Sequence, residues 1–374
     1  MAVLYRKYRP QSFAEVIGQE HIVQTLTNSI KGNTISHAYL FSGPRGSGKT
    51  TIARLFAKAI NCLARRATAE GEKPDGAEPC NKCSSCLEIM GGKSIDLIEI
   101  DAASHTGVDD VRELIDGIKF APVKSKYKIF IIDECHQLSK SAANALLKTL
   151  EEPPAHAIFL LATTETHKMI ATIVSRCQKF DFKKLQAPEI IKKLQFISKK
   201  ENVKFDEGAL SLIALNSRGS FRDAESLLDQ CMSFSADKNL IKAEDLKNLL
   251  GIVEVGQIAQ FVDLLLKKET KNAILTLNSL IDNGIDLQEF AKTLVFYLRQ
   301  SLLLKINPEF LTLQNSGLSL PELEKIKVQT TSLPQKDIQN MLQMFIEAEN
   351  KIKYSAISQL PLELAIVTLT HQEV

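Results

Sequence analysis

Residues 43–50 read GPRGSGKT, between the apolar run AYLFS at Ala38–Ser42 and a stretch with helical spacing at residues 51–61. Glycines allow backbone N–H groups to turn toward phosphate oxygens without interference from a Cβ atom, and the N-terminal end of the next helix adds positive potential. A glycine-rich turn could also arise by chance. The complete pattern, with a strand before it and a helix after it, favours a phosphate-binding loop.

Three further apolar runs predict the sheet that carries this loop. They are LIEID at Leu97–Asp101, KIFIID at Lys128–Asp133 and IFLLA at residues 158–162. Their nearly continuous apolar character is typical of parallel strands that are covered on both faces. Stretches with helical spacing separate the runs, as in SKSAANALLKTLEE at residues 139–152, which two prolines follow. The sequence therefore predicts an α/β domain.

Strand signals fade after about residue 183, and helical periodicity continues at residues 189–201, 208–216 and 223–233. From residue 249 onward the chain has only helical patterns. We therefore expect three domains. These are an α/β domain at residues 1–183, a small helical domain at 184–248 and an all-helical domain at 249–374.

Composition limits the classes of function. Among 374 residues the net charge is +2, which excludes a nucleic-acid binder defined by bulk charge but allows a local basic surface. No apolar run approaches the ~20 residues of a membrane span, and the basic start has no apolar core behind it. We expect a soluble, cytoplasmic protein without membrane contact. In that reducing compartment the seven cysteines are metal ligands or core residues rather than disulfides.

The loop and the strand KIFIID supply candidate catalytic groups. Lys49 would reach the β- and γ-phosphates of a nucleotide, and the Thr50 hydroxyl would ligate Mg²⁺. At the end of the strand, Asp133 can hold Mg²⁺, and Glu134 can orient or deprotonate an attacking water. An acidic pair after a strand is also common in solvated turns. The phosphate-binding loop upstream favours the catalytic interpretation.

Four cysteines, Cys62, Cys80, Cys83 and Cys86, form the pattern C-x17-C-x2-C-x2-C. Four thiolates suit tetrahedral Zn²⁺, and a set of four ligands leaves no position for a substrate. The alternative, unrelated thiols, does not explain three closely spaced cysteines. We therefore predict a structural zinc module at residues 62–86. For the isolated residues Cys135, Cys177 and Cys231, core filling is the better interpretation.

Taken together, these segments resemble the gamma/tau subunit family of the bacterial DNA polymerase III clamp loader, which are AAA+ ATPases. The other segments that carry the resemblance are YRKYRPQSFAEVIGQEH, DECHQLSKSAANALLKTLEEPP, ATTETHKMIATIVSRCQ, GSFRDAESLLDQ and, more loosely, LPLELAIVTL. The resemblance implies a P-loop AAA+ domain with a zinc module, then a helical lid domain and an all-helical collar domain, in the three ranges given above.

The resemblance also implies roles for single residues. Thr164 falls at the sensor-1 position, Arg176 at the arginine finger that enters a neighbouring subunit's site, and Arg222 at sensor 2. A planar guanidinium suits the charge that develops on transferred phosphoryl oxygens. The residues expected to contact ATP are Gly43, Pro44, Arg45, Gly46, Ser47, Gly48, Lys49, Thr50 and Thr51 in the loop, with Tyr8, Arg9, Pro10 and Ile17 around the adenine.

The partners that the resemblance implies are delta-like and delta-prime-like subunits, further copies of the chain, a sliding clamp and primer–template DNA. Residues 104–112, SHTGVDDVR, are a candidate contact with the DNA backbone. ATP, Mg²⁺ and Zn²⁺ are the expected cofactors. Two alternatives stay open, namely another AAA+ motor such as a branch-migration helicase, and a non-hydrolysing scaffold subunit.

Overall fold

The computed structural model describes residues 3–66, 76–104, 117–234, 240–249, 255–307 and 320–371. The chain forms two compact units, Met1–Leu240 and Ile241–Val374. The predicted small helical domain thus lies largely inside the first unit, and the three-domain division at residues 183 and 248 stays a prediction. None of the described helices combines the length and the apolar composition needed to cross a membrane.

A parallel sheet of five strands organises the first unit, in the order β2-β3-β4-β1-β5 among the described residues. The bounds of its strands are β1 Ala38–Ser42, β2 Leu97–Asp101, β3 Lys128–Asp133, β4 Ala157–Thr163 and β5 Gln178–Asp181. In a parallel sheet the carboxyl ends of all strands meet at one edge, where ligands bind in α/β proteins. The loop after β1 is central there, because β1 pairs with both β4 and β5.

Burial on both faces explains the continuous apolar runs. On one face Tyr39, Phe56 and Phe180 pack together, with the rings of Tyr39 and Phe56 4.9 Å apart. On the other face Phe130 stacks on Phe159 at 5.4 Å. Each such ring pair adds about 0.5–1.5 kcal/mol beyond area burial. The α/β fold predicted from these runs is confirmed.

The strand β5 did not stand out in the sequence. Its residues read QKFD, and only Phe180 among them is buried. The strand lies at the edge of the sheet, where polar side chains face solvent, so it lacks the apolar run that marks the buried strands. Its pairing with Tyr39 and Phe41 in β1 defines it.

Helices cover the sheet and form the rest of the first unit. Ser139 caps one of them, since its side chain accepts a hydrogen bond from the Ala142 backbone N–H. The helices are α1 Leu4–Lys7, α2 Glu20–Gly32, α3 Lys49–Ile60, α4 Leu63–Arg66, α5 Ser84–Met90, α6 Lys140–Glu151, α7 Ala171–Val174, α8 Ala187–Lys200, α9 Glu207–Asn216 and α10 Phe221–Phe234. The last three are the predicted small helical region.

The second unit is helical wherever it is described, as its periodicity predicts. Residues at helical spacing such as Phe290, Leu294 and Phe345 are fully buried in its core. Its helices are α11 Ala243–Leu249, α12 Val255–Leu266, α13 Thr270–Asp282, α14 Leu287–Ile306, α15 Leu320–Ser332, α16 Gln335–Ile352 and α17 Leu360–His371.

Candidate nucleotide site and four-cysteine centre

The glycines of the loop at residues 43–50 adopt backbone conformations that side chains disfavour. Gly43, Gly46 and Gly48 have φ values of 145°, 72° and 98°. An added Cβ at Gly43 would lie 2.6 Å from the Phe182 carbonyl oxygen, so glycine is required for close packing as well. Immediately after Gly48 the helix α3 begins, and its N-terminal end faces the loop.

Lys49 is held over this loop. It is 5% exposed, and its Nζ donates to the carbonyl oxygens of Gly43 at 2.8 Å and Pro44 at 2.9 Å. Burial lowers the pKa of Lys49, while the nearby carboxylates of Glu134 and Asp133 act in the opposite direction. The amine of Lys49 therefore shares one site with the two carboxylates of Asp133 and Glu134.

The two residues predicted to ligate Mg²⁺ are in direct contact. The Thr50 hydroxyl donates to Asp133 Oδ2 at 2.7 Å, and the Glu134 backbone N–H donates to Asp133 Oδ1 at 3.0 Å. Hard oxygen ligands of this kind fit Mg²⁺. The donor set therefore suits the ion that the loop motif requires.

Glu134 is oriented by the strand next to its own. It has φ 48°, and its Oε2 accepts hydrogen bonds from the Thr164 hydroxyl at 2.8 Å and the Thr164 backbone N–H at 3.2 Å. His136 lies 3.4 Å from the same carboxylate oxygen and 3.0 Å from Thr163 Oγ1. Sequence reasoning gave His136 no role, because nothing in a single sequence shows which residues follow adjacent strands.

The helix α10 begins against the loop. The Phe221 backbone N–H donates to the Gly46 carbonyl oxygen at 3.2 Å. Arg222 follows at once, with its guanidinium carbon 5.0 Å from the centre of the Tyr5 ring. The candidate sensor-2 arginine is thus placed beside the loop by a backbone hydrogen bond and by an aromatic ring that sequence reasoning did not single out.

These parts enclose one cavity of about 1770 Å³. Gly43 and Tyr8 do not line it. Instead, the Tyr8 hydroxyl donates to Glu201 at 2.5 Å, and its ring meets the edge of Phe196. The predicted residues that line the cavity are Arg9, Pro10, Ile17, Pro44, Arg45, Gly46, Ser47, Gly48, Lys49, Thr50, Thr51, Asp133, Glu134, Thr164 and Arg222.

Among the lining residues that sequence reasoning missed are four with charged side chains. Arg54 on α3 and Glu99 on β2 form a two-pronged ion pair, with N–O distances of 2.7 and 2.6 Å. Lys193 on α8 brings a half-buried amine to the wall, and Glu225 on α10 brings a buried carboxyl group. Isolated charged residues in helices are usually exposed, so no sequence signal marked them.

Arg176 does not line this cavity. Its guanidinium donates to Glu151 Oε1 at 2.5 Å and to the Thr172 carbonyl oxygen at 2.8 Å. The side chain is about one third exposed, at 33%. The structure therefore separates this arginine from the candidate site of its own chain. The candidate DNA segment at residues 104–112 lies, apart from Ser104, outside the described residues.

The four predicted cysteine ligands converge. The sulfur atoms of Cys62, Cys80, Cys83 and Cys86 all lie within 4.8 Å of one another. A tetrahedral zinc ion with Zn–S bonds of about 2.3 Å requires sulfurs about 3.8 Å apart, and Cys80 and Cys86 are 3.9 Å apart. The set fits such an ion.

Backbone amides favour the thiolate form in this cluster. Backbone N–H groups of Lys82 and Cys83 donate to Cys80 Sγ at 3.5 and 3.3 Å. These hydrogen bonds lower the pKa of Cys80 to about 6, and the one from Lys82 has the largest effect. Burial raises the pKa of Cys62, and metal binding would have to overcome that cost.

One carboxylate ties the cysteine module to the cavity wall. Glu78, two residues before Cys80, accepts hydrogen bonds from the backbone N–H groups of Phe13 at 2.8 Å and Ala14 at 2.9 Å. These two residues begin the 3-10 turn Phe13–Glu15. The turn lies between Pro10 and Ile17, which line the cavity.

Models of three protein families match the chain in succession. The model described as DNA polymerase III, delta subunit matches residues 18–186. The ATPase lid domain of the DNA polymerase III clamp loader subunit matches residues 189–237. Domain III of DNA polymerase III subunits gamma and tau matches residues 241–374.

Individual proteins agree with these matches. DNA polymerase III subunit tau of Bacillus subtilis is 43% identical over 98% of this chain, which spans 62% of that relative's length. DNA polymerase III subunit gamma of Buchnera aphidicola subsp. Baizongia pistaciae is 42% identical over 82% of this chain and 80% of its own. A solved structure of the Thermotoga maritima RuvB Holliday junction branch migration motor has a TM-score of 0.47 and 18% identity, covering 74% of this chain and 86% of that one.

The contact between the loop and α10 leads to a stability prediction. A Cβ added at Gly46 would lie 1.9 Å from Ser220 Oγ, whereas one added at Gly48 meets nothing within 4 Å. Both glycines have positive φ, so Gly48→Ala is a matched control for backbone strain. Gly46→Ala should cost about 1–3 kcal/mol more in the free energy of unfolding, because overpacking adds to strain.

Chemical denaturation of the full chain measures this difference. Ser220 caps α10, since its hydroxyl accepts a hydrogen bond from the Asp223 backbone N–H at 3.2 Å. The double variant Gly46→Ala/Ser220→Gly should recover part of the loss, because glycine as an N-cap costs only about a few tenths of a kcal/mol. Equal losses for Gly46→Ala and Gly48→Ala would show that the close approach of Ser220 contributes nothing.

Proposed function

Because this chain belongs to the DNA polymerase III gamma and tau subunit family, we propose that it is an ATP-driven motor subunit of a clamp loader, which places a sliding clamp on primed DNA. One observation carries the proposal. Thr50, Asp133, Glu134 and Thr164 form a connected set of hydrogen bonds on the wall of the cavity that Arg222 also lines.

ATP would bind with its phosphates in the loop at residues 43–50. Backbone N–H groups of the loop and Lys49 surround the phosphates, and Thr50 and Asp133 ligate Mg²⁺. The ion, when bound, neutralises charge on the β- and γ-phosphates. The base would lie against Arg9, Pro10 and Ile17. Tyr8 would hold this segment in place through its contacts with Glu201 and Phe196, outside the cavity.

Glu134 would orient the attacking water, and Thr164 would control when it does so. The Thr164 hydroxyl donates to the Glu134 carboxylate in this structure. A γ-phosphate offers the same hydroxyl a competing acceptor. Its binding would therefore remove one of the two Thr164 hydrogen bonds that hold Glu134, and the carboxylate would be less restrained when it accepts a hydrogen bond from the attacking water.

Arg176 would act on a neighbouring copy of the chain. It lies outside the cavity of its own chain, and its main partner, Glu151, is half exposed at 50%. A surface ion pair of this kind contributes little to stability and can exchange partners readily. A triphosphate in an adjacent subunit offers the guanidinium more negative charge than one carboxylate does.

Assembly follows from this division of the site. A finger supplied in trans requires an interface between subunits, which we assign to further copies of the chain and to delta-like and delta-prime-like subunits. ATP binding would close these interfaces and favour engagement of the clamp and primer–template DNA, and hydrolysis would reset them. The assembly would act in the cytoplasm, where the replication machinery of bacteria lies.

The four cysteines would hold a structural Zn²⁺ ion. The set offers four sulfur ligands and no open position, so it is not expected to take part in hydrolysis. Its contribution would be mechanical, because Glu78 links the module to the turn Phe13–Glu15 beside the cavity.

Arg176→Ala tests the finger. In an assembly reconstituted with delta-like and delta-prime-like subunits, clamp and primed DNA, the variant should lower kcat for ATP by about 10³-fold or more. ATP binding should change little, since Arg176 does not line the cavity. Lys179→Ala is the control, because it removes a nearby surface cation that pairs with Asp181 at 3.0 Å, and it should keep the rate.

Each contrary result of that ATPase assay has a distinct meaning. A wild-type rate that clamp and primed DNA leave unchanged would contradict the loader assignment and favour another AAA+ motor, such as one for branch migration. No hydrolysis by the full assembly would favour a non-hydrolysing scaffold. An unaffected Arg176→Ala variant would remove only the finger.

Metal analysis tests the cysteine centre. Purified protein should contain about one zinc ion per chain, and Cys83→Ser should lose it together with several degrees of Tm, since metal binding contributes to folding. Cys177→Ser, outside the cluster, should keep the metal. Zinc-free protein with an unchanged Tm after chelation would contradict the assignment.

Glu78→Ala should weaken ATP binding by about threefold to tenfold, because two hydrogen bonds that hold the turn Phe13–Glu15 are lost. Glu88→Ala is the matched control, since it removes a carboxylate of α5, the helix that carries Cys86, and this carboxylate pairs with Lys124 at 2.8 Å. Calorimetric titration measures both. Equal effects of the two variants would argue against a link between the module and the cavity.

A further inference from the structure

Arg222 is a cation on the cavity wall that has no acidic partner in the part of the chain that the structure describes. Arg54 on the same wall, by contrast, pairs with Glu99 through two N–O contacts of 2.6 and 2.7 Å. Glu225 follows Arg222 at i+3 on α10, a spacing that allows a pair, yet the two side chains form no ion pair. The charge of Arg222 is therefore not offset by a carboxylate.

Tyr5 is the residue that contacts Arg222 instead. The guanidinium carbon lies 5.0 Å from the centre of the Tyr5 ring, within the roughly 6 Å over which a cation and an aromatic face attract each other. Tyr5 belongs to the short helix α1, which contacts α10, and the neighbouring Leu4 is buried. The guanidinium carbon of Arg6 lies 5.8 Å from the same ring. An anchored helix thus presents the ring to the arginine.

A backbone hydrogen bond places the same arginine beside the loop at residues 43–50. The Phe221 N–H donates to the Gly46 carbonyl oxygen at 3.2 Å, and Arg222 is the next residue. Tyr5 and Arg222 both line the cavity together with this loop. The backbone contact fixes the start of α10, and the contact with Tyr5 fixes where the long side chain of Arg222 lies.

The kind of partner decides what a guanidinium can still bind. A carboxylate accepts its N–H groups and offsets its charge, as Glu99 does for Arg54. An aromatic face attracts the cation through its π electrons, so most of the five N–H donors of the guanidinium stay available. A ring therefore restrains the side chain and leaves its charge and donors to an anion. Restraint before binding also reduces the entropy that is lost when the ligand binds.

We propose that Tyr5 is a positioning residue for Arg222, whose guanidinium it holds at the cavity wall so that the N–H donors remain free for the phosphates of the bound nucleotide. This role rests on the proposed function, since it requires phosphates on the loop at residues 43–50. Tyr5 itself would not touch the reacting atoms and is not a catalytic residue.

A double-mutant cycle tests the link between the two residues. Tyr5→Leu should weaken binding of MgATP to the full chain by about threefold to tenfold, because the attraction between ring and cation is lost. In an Arg222→Gln background the same change should alter Kd by less than about twofold, since no cation remains for the ring to hold. Tyr5→Phe is the matched control and should bind MgATP almost as wild type does, because it keeps the ring. Calorimetric titration measures all four dissociation constants.

A second set of variants keeps the test decisive if Tyr5→Leu folds poorly. Phenylalanine at position 5, and then phenylalanines with an increasing number of ring fluorines, keep the shape of the side chain while fluorine withdraws negative charge from the face of the ring. Because the attraction depends on that charge, the affinity for MgATP should fall stepwise with each added fluorine. The unfolding temperature should stay constant across the series.

Three results would overturn this role of Tyr5. These are equal losses from Tyr5→Leu with and without Arg222, an affinity that does not respond to fluorination, and a coupling of Tyr5 to Arg6→Gln in place of Arg222→Gln. Each would leave the proposed ATP site intact. Failure of the wild-type chain to bind MgATP would instead contradict the proposed function itself.

Discussion

The hydrogen bond from the Thr50 hydroxyl to Asp133 Oδ2 connects parts of the site that different strands carry. Thr50 follows β1 through the glycine loop, and Asp133 ends β3, while β4 lies between these two strands. Thr164, directly after β4, donates to Glu134 and so connects the end of β4 to the end of β3. The parallel order of the sheet brings all three strand ends to one edge. Any change that tilts one strand would therefore disturb the proposed Mg²⁺ ligands and the proposed water-orienting groups together.

Different interactions hold the two ends of the cavity. At the end beside the loop at residues 43–50, carboxylates and hydroxyls satisfy each other through hydrogen bonds. At the end near the N-terminal segment, Glu225 is buried, Arg9 and Lys193 are half-buried, and the charges of these two cations act on Glu225 through space. Burial favours the neutral form of a carboxyl group or an amine, whereas a guanidinium stays charged. One end of the cavity is thus held by hydrogen bonds, and the other by charges that act through space.

The cysteine module and the helix α10 reach the cavity through the backbone. Glu78 accepts from two N–H groups of the turn Phe13–Glu15, and Phe221 donates to the Gly46 carbonyl oxygen. Backbone contacts of this kind fix where two segments lie relative to each other and add little charge to the cavity. They fix the four-cysteine module and α10 to segments that line the cavity.

Residue identity and spacing were enough to predict the loop at residues 43–50, four of the five strands and the convergence of the four cysteines, because each rests on a short local pattern. The pairing of Arg176 with Glu151, the separation of Tyr8 from the cavity and the burial of Glu225 could not be predicted. Each depends on how segments that are distant in the sequence pack together. The strand β5 was missed because its position at the edge of the sheet permits polar residues. The sequence by itself determined the local chemistry of this protein, and the tertiary structure alone decided which charges are buried beside one another, since burial and proximity arise only when distant segments pack.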